Sequence, residues 1–171
     1  FKEVFKGGQV GLRPKVSTEG DVTFKSGFTI HADRSPNRWG AREVLDGLGF
    51  SVLESSEIWT GIKEERIKGL YILGGDPQEQ LSQEEREALS GLDFLVVQDI
   101  LASELTRIAD VVLAGAAFVE KEGTLTNFAG RLQQIPIALQ PPGDALPDWE
   151  ILRNVANVLG CEFQFSNSGE V

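Results

Sequence analysis

The sequence predicts an α/β domain built on parallel strands joined by crossover helices. Three observations lead there. GLYIL (69–73), FLVVQ (94–98) and VVL (111–113) are nearly continuous apolar runs, the pattern of strands covered on both faces. Polar segments with helical spacing, SQEEREALSGL and ASELTRIAD, lie between them. A glycine turn, GGDP, follows the first run. Ligands on such sheets collect at the carboxyl ends of the strands. That places Gly74 to Pro77, Gln98 to Ile100 and the residues from Ala114 onward on one candidate face.

The elements follow in order. Phe1 to Val22 is rich in Gly, Lys and polar residues and reads as a connection, with QVGLRPKVST as an extended edge piece. Phe28 to Ile30 reads as a strand. Gly40 to Leu48 reads as a helix with Ala41, Val44, Leu45 and Leu48 on its apolar face and Gly49 as its C-cap. Ser56 caps a short helix, and Phe50 to Leu53 is too short to assign. Ser82 and Glu85 form a capping box, so a helix starts near Gln83 and ends at Gly91. Ser103 caps a helix that Leu105 and Ile108 anchor to the sheet. Phe118 to Gln134 reads as a long polar loop. Asp148 caps a last helix, Trp149 to Leu159, with Trp149, Leu152, Val155, Ala156 and Leu159 facing inward and Gly160 closing it. The domain expectation is a connection over 1–26, one α/β domain over 27–160 and a tail over 161–171.

Composition narrows the function. The net charge of −10 argues against a nucleic-acid partner and against an anionic membrane surface. No apolar run approaches the ~20 residues of a membrane span, so direct membrane insertion is not expected. One cysteine, Cys161, excludes a disulfide within the chain and cannot by itself hold an iron–sulfur cluster. A single histidine, His31, argues against a zinc site or a histidine-based triad. With no methionine at all, the chain is expected to be a piece of a longer protein.

The chemistry-bearing residues each carry two readings. GGDP either cradles an anion on backbone N–H groups or is an ordinary βα turn. Asp99 either accepts hydrogen bonds from a ribose or purine edge or caps the following turn. Glu120 and Glu122 flank Lys121 and read best as a solvated turn. Thr124, Thr126, Asn127 and Arg131 make a polar strip, with Arg131 suited to a carboxylate or phosphate, or to acidic protein surface. Cys161 reads as a small buried hydrophobe rather than a nucleophile.

Four blocks add a resemblance. They are GIKEERIKGLYILGGDP, LDFLVVQDILASELTRIADVVLAGAA, EKEGTLTNFAGRLQ and PPGDALPDWEIL. Together they resemble the molybdopterin oxidoreductase family, and within it most the large iron–sulfur subunit of bacterial NADH:quinone oxidoreductase, respiratory complex I. NRWGAREV looks like an earlier segment of the same family. The resemblance implies a Rossmann-like three-layer fold with a mostly parallel sheet, of the formate dehydrogenase/DMSO reductase kind. It also implies positions for a pyranopterin guanine dinucleotide: Gly74, Asp76, Gln98, Asp99, Glu104, Gly123, Thr124 and Asn127.

Four departures matter: Asp76 for Asn, Leu105 for Thr, Ala114 for Pro and Ala129 for Glu. They favour a member that kept the fold and lost the cofactor. The expectation is therefore a scaffold piece of a complex I subunit without its own redox centre and not catalytic alone. Its parent would carry iron–sulfur clusters, contact other complex I subunits, serve quinone reduction and lie in the cytoplasm, peripheral to the inner membrane. The alternative is the cofactor-binding domain of a formate dehydrogenase-like molybdoenzyme, contributing to a molybdopterin guanine dinucleotide site.

Overall fold

The computed structural model describes residues 8–13, 19–74, 80–127 and 129–170 of the 171-residue chain. These fall into two compact units.

The first unit holds Ser56–Gly123 and the chain from Gln134 onward. It carries β5 (Gly69–Leu73), β6 (Phe94–Asp99) and β7 (Val111–Ala114), which form a parallel sheet in the order β5-β6-β7. This is the sheet the apolar runs predict. Register pairs Val96 with Tyr71 on one side and Val111 on the other, and Gln98 with Leu73 and Leu113. Helix α3 (Gln83–Ser90) links β5 to β6, and α4 (Glu104–Ile108) links β6 to β7. Both start where the sequence places them. Ser82 accepts from the Glu85 N–H while the Glu85 carboxylate accepts from the Ser82 N–H, a complete capping box. Ser103 is capped in the same way against Thr106.

The core lies on one face of this sheet. Leu95 and Val97 of β6 meet Ile62 of α2 (Ser55–Lys63), Leu81, Leu89 of α3 and Leu105 of α4. The opposite face is barer: Phe94 is 50% exposed and Val111 is 37% exposed. The coverage of both faces that the continuous apolar runs predict is therefore partial among the described residues, with Gln98 buried on the barer face. Helix α5 (Asp148–Val158) buries Ile151 and Ala156 rather than the whole expected stripe, and Leu159 is exposed. Its N-cap is Pro147, so Asp148 is the first helical residue and not the cap. The tail folds back, with Phe165 against Trp149 and Arg153 donating to the Phe165 carbonyl at 3.0 Å.

The second unit holds Gly7–Ser55 and Thr124–Gln133. Its strands are short: β1 (Val10–Gly11) runs parallel to β4 (Val52–Leu53), and β2 (Val22–Thr23) runs antiparallel to β3 (Thr29–Ile30). The unassigned Phe50–Leu53 stretch thus contains a strand. Helix α1 (Arg38–Gly47) is N-capped by Asn37 in the left-handed conformation. Its expected apolar face is open: Val44 is 61% and Leu48 is 52% exposed, and Gly40 is its buried residue. The expected loop at 118–134 contains β8 (Gly123–Thr126) and β9 (Leu132–Ile135), which pair. Polar side chains hide these strands from any hydrophobic pattern. Among the described residues, no helix is long and apolar enough to cross a membrane.

Candidate nucleotide-facing strand end

The carboxyl end of β6 is held from both sides by backbone bonds. The Gly74 N–H donates to the Gln98 carbonyl at 2.8 Å, and the Gly115 N–H donates to the Asp99 carbonyl at 3.0 Å. Gly74 sits at φ +76°, in the left-handed region that favours glycine. A side chain there would meet none of the described residues within 4 Å.

Asp99 is 7% exposed. Its Oδ1 accepts the Ile100 N–H at 2.7 Å, which is the capping role. Its Oδ2 is buried and has no partner among the described residues. Buried polar atoms are almost always hydrogen-bonded, and leaving one unpaired costs about 1–3 kcal/mol. The capping reading of Asp99 is therefore borne out by one of its two oxygens.

Gln98, 1% exposed, is used internally. Its Oε1 accepts the Tyr71 hydroxyl, and its Nε2 donates to Asp148 Oδ1 at 2.7 Å. Asp148 Oδ2 in turn accepts from Lys121 Nζ. Burial, and then the Asp148 charge, push the Tyr71 phenol above its ordinary pKa. Sequence reasoning overlooked Tyr71, Lys121 and Asp148 as a group because they lie far apart along the polypeptide. The clue in the sequence was an acid at the start of a helix that did not need it as a cap.

Glu104 ties two helices together. Its Oε2 accepts the Leu81 N–H at 3.1 Å, and its Oε1 pairs with Arg86, whose Nη2 lies at 2.5 Å. Gly123 opens β8, and Thr124 is exposed on it. Asn127 builds the turn after β8: its Oδ1 accepts the N–H groups of Ala129 and Arg131 at 3.0 Å, and its Nδ2 donates to Gln133. Thr124 and Asn127 belong to the second unit, and Gly74, Gln98, Asp99 and Glu104 to the first. Asp76, with the rest of the expected anion cradle after Gly74, lies outside the described residues. Glu120 accepts the Ala117 N–H at 2.8 Å, and Glu122 accepts the Ser168 hydroxyl at 2.8 Å. These two carboxylates therefore hold a turn and the tail.

The model of the molybdopterin oxidoreductase family matches residues 15–158. The chain belongs to that family. It is similar to the F420-dependent formate dehydrogenase 2 subunit alpha of Methanococcus maripaludis, 39% identical over 81% of this chain and 21% of that protein. The F420-dependent formate dehydrogenase subunit alpha of Methanocaldococcus jannaschii is 46% identical over 58% of the chain and 15% of that protein. The NADPH-Fe(3+) oxidoreductase subunit alpha of Geobacter sulfurreducens is 38% identical over 67% of the chain and 14% of that protein. The chain thus spans about a fifth or less of the length of these curated relatives. Among solved structures, the acetylene hydratase of Pelobacter acetylenicus covers 60% of the chain with a TM-score of 0.49 at 21% identity.

These relatives overturn the expectation of a complex I scaffold piece, together with its NADH dehydrogenase and quinone associations. They are formate dehydrogenase and NADPH-Fe(3+) oxidoreductase alpha subunits. The structure supplies a physical reason why one departure misled. Leu105 in place of Thr is a buried core residue packed with Leu95 and Val97, so this substitution records packing rather than a lost ligand.

Proposed function

We propose that this chain is part of a formate dehydrogenase-like molybdopterin oxidoreductase and forms one wall of its molybdopterin guanine dinucleotide site. The observation that carries the reading is the buried Oδ2 of Asp99, which has no partner among the described residues, at the carboxyl end of a parallel strand. Guanine offers N–H donors on one edge, and ribose offers hydroxyls. Either satisfies a lone carboxylate oxygen. Beside Gly74 no described residue lies within 4 Å of an added Cβ, which fits a ligand close to the backbone. When bound, the cofactor supplies a redox-active metal centre. The residues of this chain bind and orient its nucleotide arm, with Asp99 as acceptor and Gln98 as the strut that fixes the strand end.

The family's Rossmann-like three-layer arrangement belongs to this reading as well. The bare second face of the β5-β6-β7 sheet and the open side of α1 fit surfaces that other parts of a longer polypeptide cover. The named relatives are alpha subunits, so a multi-subunit redox enzyme is the proposed setting.

Calorimetric titration of the chain with GDP tests the reading. Binding with Kd in the micromolar range, lost in Asp99→Asn, is expected. A folded sample that binds no GDP, or an Asp99→Asn variant that binds equally well, overturns it.

A further inference from the structure

A series of polar side chains ends beside Asp99. The Tyr71 hydroxyl donates to Gln98 Oε1, Gln98 Nε2 donates to Asp148 Oδ1 at 2.7 Å, and Lys121 Nζ donates to Asp148 Oδ2. The donors run from Tyr71 through Gln98 to Asp148, where the sense reverses because Asp148 also accepts from Lys121. Gln98 is bonded at both ends and almost fully buried, which fixes it as a strut. Both Asp148 oxygens are occupied, and the carboxylate sits in the first turn of an 11-residue helix, where the helix dipole favours a negative charge. It also lies at the strand end. A Cβ placed on Gly115 would be 3.4 Å from Asp148 Oδ1 and 3.7 Å from the Asp99 carbonyl oxygen. The Asp148 carboxylate therefore lies beside the main chain of this strand end, and Lys121 is the cation bonded to it.

We propose that Lys121 is a positioning residue for the nucleotide-facing strand end. Through Asp148, whose charge it balances, it holds the Gln98 strut and so keeps the strand end in shape for a nucleoside diphosphate. The inference rests on the nucleotide reading above and adds to it a residue that need not touch the ligand. Lys121 and Asp148 are each about 30% exposed, so their pairing acts across partly solvated space and its effect on a bound diphosphate is modest. Loss of the lysine charge leaves Asp148 uncompensated near an anionic ligand.

Two readouts on the full chain test this. Tyr71 is the only tyrosine in the sequence, so its ultraviolet titration reports the relay with no ligand present. Asp148→Asn is expected to lower the phenol midpoint, because the Asp148 charge contributes to raising it. In calorimetry, Lys121→Met is expected to weaken GDP binding by about two- to fivefold. Lys121→Arg is expected to match the wild type in both assays. Lys121→Met/Asp148→Asn restores the local charge balance and is expected to recover most of the affinity.

A double variant that binds no better than Lys121→Met, at an unchanged melting temperature, overturns the proposal. So does a Tyr71 midpoint indifferent to Asp148→Asn. If the wild type binds no GDP while the Tyr71 midpoint moves as expected, the nucleotide reading and the proposed role both fall, and the relay remains as a structural feature.

Discussion

Replacing Gly40 with alanine perturbs the tightest contact in the second unit. A Cβ on Gly40 would lie 2.4 Å from Asn37 Oδ1 and 2.6 Å from Thr126 Oγ1. Neither neighbour moves freely. Asn37 Oδ1 accepts the Thr126 N–H at 2.8 Å, and Asn37 also N-caps α1 in the left-handed conformation. Thr126 is buried on β8. Overpacking of this kind costs about 1–3 kcal/mol. Loss of the Asn37–Thr126 hydrogen bond adds about 1 kcal/mol. The higher helix propensity of alanine returns about 1 kcal/mol. The net expectation is destabilisation by about 1–3 kcal/mol, a fall in Tm of roughly 3–10 °C for a chain of this size. Gly47, at the end of the same helix, has nothing within 4 Å of its added Cβ. Gly47→Ala is therefore expected to be neutral or stabilising, by up to about 1 kcal/mol. Thermal unfolding followed by far-ultraviolet circular dichroism reads both variants. A Gly40→Ala chain that melts at or above the wild-type temperature refutes the reasoning.

Other variants are expected to behave as follows. Ser82→Ala breaks the capping box of α3 and is expected to cost about 1 kcal/mol in urea unfolding. Asn127→Ala removes the acceptor shared by the Ala129 and Arg131 N–H groups; amide exchange is expected to rise at those two positions while β5-β6-β7 stays protected. For Asp33, burial alone works to raise the carboxyl, but the Arg38 guanidinium at 2.6 Å and the Ser35 N–H at 3.0 Å outweigh it and hold the pKa below the ordinary value. A depressed folded-state pKa contributes stability that is complete above the unfolded value, near about 4, and is lost as pH falls through the folded value. Asp33→Asn is accordingly expected to flatten the decline of Tm with acid in that window.

The parts of the fold visible in the sequence were those specified locally. Ser82 and Glu85 announce α3 because a capping box lies within four residues. Apolar runs announce β5, β6 and β7, and β6, the central strand of the three, buries most of its successive side chains. β8 and β9 escaped because GTLT and LQQI carry mostly exposed polar residues, and the turn between them depends on the Asn127 side chain rather than on an Asn-Gly pair. The apolar stripe of α1 is real in the sequence, yet Val44 and Leu48 are exposed, since periodicity shows that a face is apolar without showing what covers it. At the strand end, Gly74 and Asp99 were legible from position alone. The use of Gln98 was not, because its partners Tyr71 and Asp148 lie 27 and 50 residues away in sequence. The misplaced likeness to complex I has a similar origin. Leu105 looked like a lost ligand when only the motif was visible and is a core side chain once α4 is packed.

The central claim is that the carboxyl end of β6 receives a guanine nucleotide. An amide chemical-shift titration of the labelled chain with GDP tests it most directly, because it locates the ligand as well as detecting it. Shifts concentrated at Gly74, Gln98 to Leu101 and Gly115, and abolished by Asp99→Asn, are the expected result. A titration that leaves those amides unmoved, or moves only residues away from the strand end, contradicts it.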